Sequence, residues 1–124
     1  GKLKVKVVQA KKFSENSIEE YQSYASIIYG EKRETWERLV EEWLLRNVVE
    51  RFSREIKTQN TRYLTDITDI DVQKISDAMS KCSTYMIGHD MAEAMSGSFP
   101  DIAELESDLN GLDIYFKELK KRRS

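Results

Sequence analysis

The chain is 124 residues long, 40% hydrophobic and 34% charged, with a single proline and a formal net charge of −2. This is the profile of one ordered, charge-rich domain; it excludes a disordered polymer, and no apolar run approaches the length that crosses a bilayer. The single cysteine, Cys82, excludes an internal disulfide and the cysteine-based zinc frameworks.

Charge is segregated along the chain. Residues 1–13 carry cations and no acid, residues 72–116 are predominantly acidic, and residues 117–124 are basic again. Gly1 stands where a Met would, and further residues are expected upstream.

The opening "GKLKVKVVQAKKF" alternates Lys with Leu or Val. Read as a strand, it places Leu3, Val5 and Val7 on one face and Lys2, Lys4 and Lys6 on the other. A lone strand has no partner in an otherwise helical chain. Residues 1–13 are therefore expected to form a basic extended N-terminal arm, with residues 14–124 forming the bundle. Extended lysines about 6.6–6.8 Å apart can follow a phosphate backbone and displace its counterions. A solvated, flexible end is the plain alternative.

Ser17 followed by Glu20 has the capping-box pattern, so a helix is expected to start there, with Ile18, Tyr21, Ala25 and Ile28 on one face and Gly30 at its end. Trp36, Leu39, Val40, Trp43, Leu44, Val48 and Phe52 recur at three- and four-residue steps and predict a long helix over 31–57. Its exposed face would carry Glu34 with Arg38, Glu42 with Arg46 and Glu50 with Arg54 as i,i+4 pairs.

Residues 58–68, rich in Thr, Asn and Asp, read as a linker. Thr68 or Asp69 can cap a third helix with Val72, Ile75, Met79, Cys82 and Met86 as its buried stripe, ended by Gly88. Residues 89–95 can add a turn or two before "SGSFP" breaks the chain. Pro100 suits a first helical position, and Ile102, Leu105, Leu109, Leu112, Phe116 and Leu119 keep their phase across Asn110 and Gly111, predicting one continuous last helix. The expected fold class is all-α, a four-helix bundle.

Catalytic patterns are sparse. His89 is the only histidine, so paired-histidine zinc sites and helical di-iron motifs are missing, and the scattered glycines form no phosphate loop. Cys82 with His89 is the one conceivable thiolate–imidazole pair. No catalytic residue, metal or cofactor is assigned, and no small-molecule substrate is expected. Tyr24 and Tyr29 lie off the main stripe and would be interface residues if exposed. The closing "KELKKRRS" offers a second basic contact, a set of helix-dipole partners, or, with Tyr115 and Phe116, a lipid contact of the C-terminal helix.

The basic leader "GKLKVKVVQAKK", the Tyr- and Trp-bearing segments "EEYQSYASIIY" and "ETWERLVEEW", and the helices that follow give the chain a layout that resembles the major coat proteins of filamentous archaeal viruses of the lipothrixvirus and rudivirus type. The resemblance implies a non-enzymatic structural protein of the virion that binds double-stranded DNA without sequence specificity. It also implies self-association with identical or paralogous subunits. Lys2, Lys4, Lys6, Lys11 and Lys12 would contact DNA, with Lys32 and Arg33 as additions. The competing expectation is a cytoplasmic helical adaptor or regulator that binds a protein partner and no nucleic acid.

Overall fold

A computed structural model describes residues 2–86 and 99–124, and the chain is all-α. Four α-helices are defined among these residues: α1 (Lys2–Asn16), α2 (Ile18–Leu39), α3 (Asp69–Tyr85) and α4 (Ile102–Arg123). Between α2 and α3 lie a π-helical turn, Val40–Leu44, and a 3-10 helix, Thr58–Asp66.

The leader is not extended. Residues 2–16 form α1 because Leu3, Val7, Ala10 and Phe13 fall at helical spacing. Val7 and Ala10 are buried in the core, with Leu3 and Phe13 packed against it. The two-residue alternation ends at Val7, whereas the helical stripe continues to Phe13. Val5 and Val8 are left on the surface.

Only a one-residue hinge separates α1 from α2. Ser17 is the N-cap of α2, its hydroxyl accepting from the Glu20 N–H at 3.3 Å. Gly30 does not end this helix. Ile28, Tyr29, Lys32 and Trp36 stay in phase with the core on either side of it, so α2 runs unbroken to Leu39.

The long helix expected over 31–57 stops early. After the π-helical turn, Arg46 and Asn47 adopt positive φ values of 47° and 59°, and the chain reverses through an isolated antiparallel bridge between Val49 and Ile56. Side chains from elsewhere make this exit possible. Arg123 donates to the carbonyls of Trp43 and Leu44, each at 2.9 Å, and Asn60 donates to that of Arg46 at 2.8 Å. Phe52, expected in the buried stripe, stands fully exposed at the tip of the loop with φ 66°. Arg51 pairs with Glu41 at 2.7 Å, and Lys57 with Glu50 at 3.3 Å.

The expected linker contains the 3-10 helix, and Thr68 caps α3 with a full capping box to Asp71. Asp71, not Val72, faces inward, joined by Ile75, Met79 and Cys82. The helix end expected at Gly88 and the turns expected over 89–95 lie outside the described residues. Asp101 caps α4 by accepting from the Glu104 N–H at 2.9 Å, which puts Pro100 ahead of the cap instead of at the first helical position. The helix is continuous through Asn110 and Gly111, as its stripe predicted.

α2 and α4 run parallel and in step. Tyr21 donates to the Pro100 carbonyl, Tyr29 to Asp108, and Arg123 to the Leu44 carbonyl, each across a separation of 79 residues. The stacked rings of Trp36 and Tyr115, 5.5 Å apart, keep the same register. α1 and α3 run antiparallel to this pair. Lys6 meets Glu31 while Phe13 meets Tyr24, and Lys81 meets Glu104 while Arg122 meets Asp71. Tyr29 is buried in this core and Tyr24 is half-buried, so Tyr29 is no interface residue.

Candidate polyanion-binding end

The antiparallel course of α1 against α2 brings the first residues of the chain beside its last. Leu3 and Lys4 share a groove with Trp43, Asp113 and Phe116, while Arg123 caps the end of α2. The two basic segments that stand furthest apart in sequence therefore converge on one end of the bundle.

At that end, Lys117 is 73% exposed and lies 3.0 Å from Asp113, and Lys4 is 61% exposed and 3.7 Å from the same carboxylate. Lys120 and Lys121 are exposed. The Lys120 ammonium sits 4.8 Å from the Phe116 ring centre and 5.7 Å from that of Trp43. The Arg46 guanidinium covers Trp43 at 5.3 Å and Tyr63 at 5.5 Å, and Arg62 covers Tyr63 at 4.9 Å. Arg62 also donates to the Tyr63 hydroxyl at 3.0 Å, and this bond and charge lower the tyrosine's pKa. Cations interleaved with half-buried rings can meet phosphate oxygens and base or sugar surfaces together.

Not every basic residue here is available. Asp71, 2% exposed, accepts from both Arg122 guanidinium nitrogens at 3.0 Å, from the Tyr115 hydroxyl at 2.7 Å and from the Thr68 N–H at 2.9 Å. Burial alone would raise the Asp71 carboxyl, but the bonds from Arg122, Thr68 and Tyr115 outweigh it and hold the group below the ordinary carboxylate range. The same bonds to Asp71 raise Arg122. Arg123, its side chain 1% exposed, is held by Asp66 and the carbonyls of Trp43 and Leu44 in the π-helical turn. Both arginines are structural.

The predicted DNA contacts disperse. Lys2 opens α1, Lys4 faces Asp113, and Lys6 is half-buried in an ion pair with Glu31. Lys11 and Lys12 are exposed at the opposite end and form no ion pair among the described residues. Lys32 is 3% exposed, its ammonium over the Tyr29 ring at 5.3 Å, and burial lowers its pKa. Arg33 is half-buried, with its Nε sealed away without an acceptor. Lys32 is therefore removed as a surface contact, and Lys6 and Arg33 are left only partly exposed, because α1 is a helix and α2 turns these positions toward its neighbours. For the leader, the sequence signal of the helix is the shared face of Leu3, Val7 and Ala10.

The remaining chemical possibilities narrow as well. Cys82 is buried, and desolvation raises its thiol pKa, which disfavours the thiolate that catalysis needs. His89 lies outside the described residues. No group of His, Cys, Asp and Glu able to hold a metal forms among the described residues. No described helix is long and apolar enough to cross a membrane, and Tyr115, one of the two rings in the lipid-contact alternative, is buried against Asp71 and Trp36. No protein-family model, curated protein or solved structure matches the chain.

Proposed function

We propose that this chain is a non-enzymatic structural protein that binds double-stranded DNA without reading its sequence and associates with copies of itself, as a subunit of a virion coat would. The observation that carries the reading is the convergence of Lys4, Lys117 and Lys120 with Arg46 and Arg62 around the Asp113–Phe116 groove, Trp43 and Tyr63. The contact surface is this end of the bundle and not a flexible leader. Its exposed ammonium groups have geometry suited to phosphate neutralisation, and their ion pairs with Asp113 are surface pairs that contribute little and yield easily.

Deleting residues 1–13 would remove Val7 and Ala10 from the core and cannot test the idea. The test is a gel-shift titration of generic duplex at two salt concentrations, comparing the wild type with a Lys117→Glu, Lys120→Glu, Lys121→Glu variant. Binding should weaken steeply with salt, and the variant should lower the slope of log affinity against log salt by roughly two to three. Equal binding by both proteins would remove the proposal.

A second reading, a protein-interaction adaptor, is favoured by the loop carrying fully exposed Phe52 with Val49 and Ile56 beside it. It predicts no duplex shift at low salt and a partner seated on that loop.

A further inference from the structure

Phe52 stands fully exposed between the π-helical turn and the 3-10 helix, on a positive φ of 66° that a bulky side chain rarely adopts. Packing among the described residues does nothing to offset that strain. The loop is nevertheless held in place. Arg51 reaches Glu41 at 2.7 Å and Glu37 at 3.5 Å, Val49 bridges to Ile56, and the Lys57 N–H donates to the Val48 carbonyl at 3.0 Å. A pinned loop thus presents a large ring, with exposed Val49 and Ile56 beside it, that the fold does not use.

The counterpart is a groove of about 440 Å³ between α1, α2 and α4, floored by Leu3, Leu39, Leu109 and Leu112 and lined also by the Trp43 and Phe116 rings, which meet edge to face at 5.6 Å. An apolar cavity of about 150 Å³ already holds a benzene ring, so this one takes a phenyl group with room for an aliphatic neighbour. Ring and groove do not meet within one chain. At about 100° per residue, Thr35 and Leu39 of the groove each lie roughly 160° around α2 from Glu37, to which Arg51 ties the loop. The two surfaces also match in charge. Arg38 and Glu42 line the groove, and Arg54 and Glu55 follow the ring in sequence; all four are exposed and form no ion pair among the described residues. Lys4 and Asp113, the other charged residues of the groove, pair with each other at 3.7 Å.

We propose that this groove receives the Phe52 ring of a second copy of the chain, with Arg54 meeting Glu42 and Glu55 meeting Arg38. Knob and groove lie on different faces, so the contact is head-to-tail and each added copy leaves a further groove and a further ring open. The inference rests on the self-association in the reading above and gives it a geometry. Of the cations proposed to meet duplex, only Lys4 borders the groove.

The test is sedimentation velocity of the full chain without DNA. The wild type should form dimers and longer species as its concentration rises. Phe52→Ser, which keeps the groove, and Thr35→Trp, which fills it, should each weaken self-association about tenfold or more, as loss of a central aromatic anchor does. Mixed together, they should form a one-to-one complex that grows no further, because one ring and one groove remain between them. Arg38→Glu with Glu42→Lys reverses the groove charges at exposed positions without changing net charge, and serves even if Thr35→Trp fails to fold. It should weaken association, and adding Arg54→Glu with Glu55→Lys should restore it. The proposal is overturned if the wild type stays monomeric at millimolar concentration, the result expected of a loop that serves a foreign protein. It is equally overturned if Phe52→Ser associates as the wild type does, if folded Thr35→Trp forms no complex with Phe52→Ser, or if the second charge reversal restores nothing. Failure here leaves the duplex gel shift of the Lys117, Lys120 and Lys121 variant standing, and failure of that gel shift leaves this contact standing.

Discussion

Replacing Asp71 with alanine should be the most damaging single change in the described structure. Its carboxylate joins α3 to α4 by accepting from Arg122 and Tyr115 while closing the cap of its own helix through Thr68. Alanine would leave the Tyr115 hydroxyl without its acceptor, separate Arg122 from its buried partner and open the capping box. Breaking a buried pair from one side costs about 3–5 kcal/mol. A domain of this size has a total stability of roughly 5–15 kcal/mol, so the loss would be plain in a urea titration. Asp71→Asn keeps an acceptor for Tyr115 but loses the charge and sets an NH2 donor against the Thr68 N–H and one Arg122 nitrogen, and should fall about 1.5–3 kcal/mol below wild type.

The effect also has a pH signature. Because the folded-state carboxyl is held below its ordinary value, its contribution is complete above the ordinary carboxylate range near pH ~4. It is lost as the pH falls through that range toward the lowered folded value. The gap between wild type and Asp71→Asn should therefore be full at pH 7 and shrink on acidification. An Asp71→Ala loss of less than about 1 kcal/mol, or a gap that ignores pH, would refute the assignment of Asp71 as the link between α3 and α4.

Other changes test other parts of the structure. Arg123→Met removes the caps on the Trp43 and Leu44 carbonyls together with the Asp66 pair, and should destabilise by about 2–4 kcal/mol in chemical denaturation. Gly111→Ala should raise stability by about 0.5–1 kcal/mol, since the position is helical and unobstructed; a lower melting temperature would contradict that geometry. Phe52→Ser should change stability by less than about 0.5 kcal/mol, because the ring touches little of its own chain, and should reduce self-association seen by sedimentation velocity. Unaltered sedimentation would exclude the Phe52 loop as a contact between copies.

The helices whose signals lie within one or two turns were legible. Ser17 and Thr68 cap where short polar side chains precede apolar stripes, and α4, though capped by Asp101 and not begun at Pro100, keeps its phase through Gly111. The leader looks like a strand because Leu3, Val5 and Val7 satisfy a two-residue period over a short window, while the helical choice depends on α2 and α4 offering a surface for Val7 and Ala10. The end of α2 was equally hidden. Its stripe runs on to Phe52, and the chain leaves it only where Arg123, 79 residues beyond Leu44, supplies donors for the terminal carbonyls.

For the candidate site, sequence indicated that both termini are basic and that no catalytic constellation is spelled out, but proximity in space was beyond it. Lys32 and Arg33 look like any adjacent pair of surface cations, and Asp71 looks like an ordinary cap residue, until neighbouring helices enclose them. Local chemistry, namely capping oxygens, backbone propensity and apolar spacing, acts over a few residues and was sufficient by itself to determine an all-α chain and the starts of two of its helices. Which cations face water, which are buried, and which meet at one end was decided only by tertiary packing, because desolvation and charge pairing depend on groups brought together from distant parts of the chain.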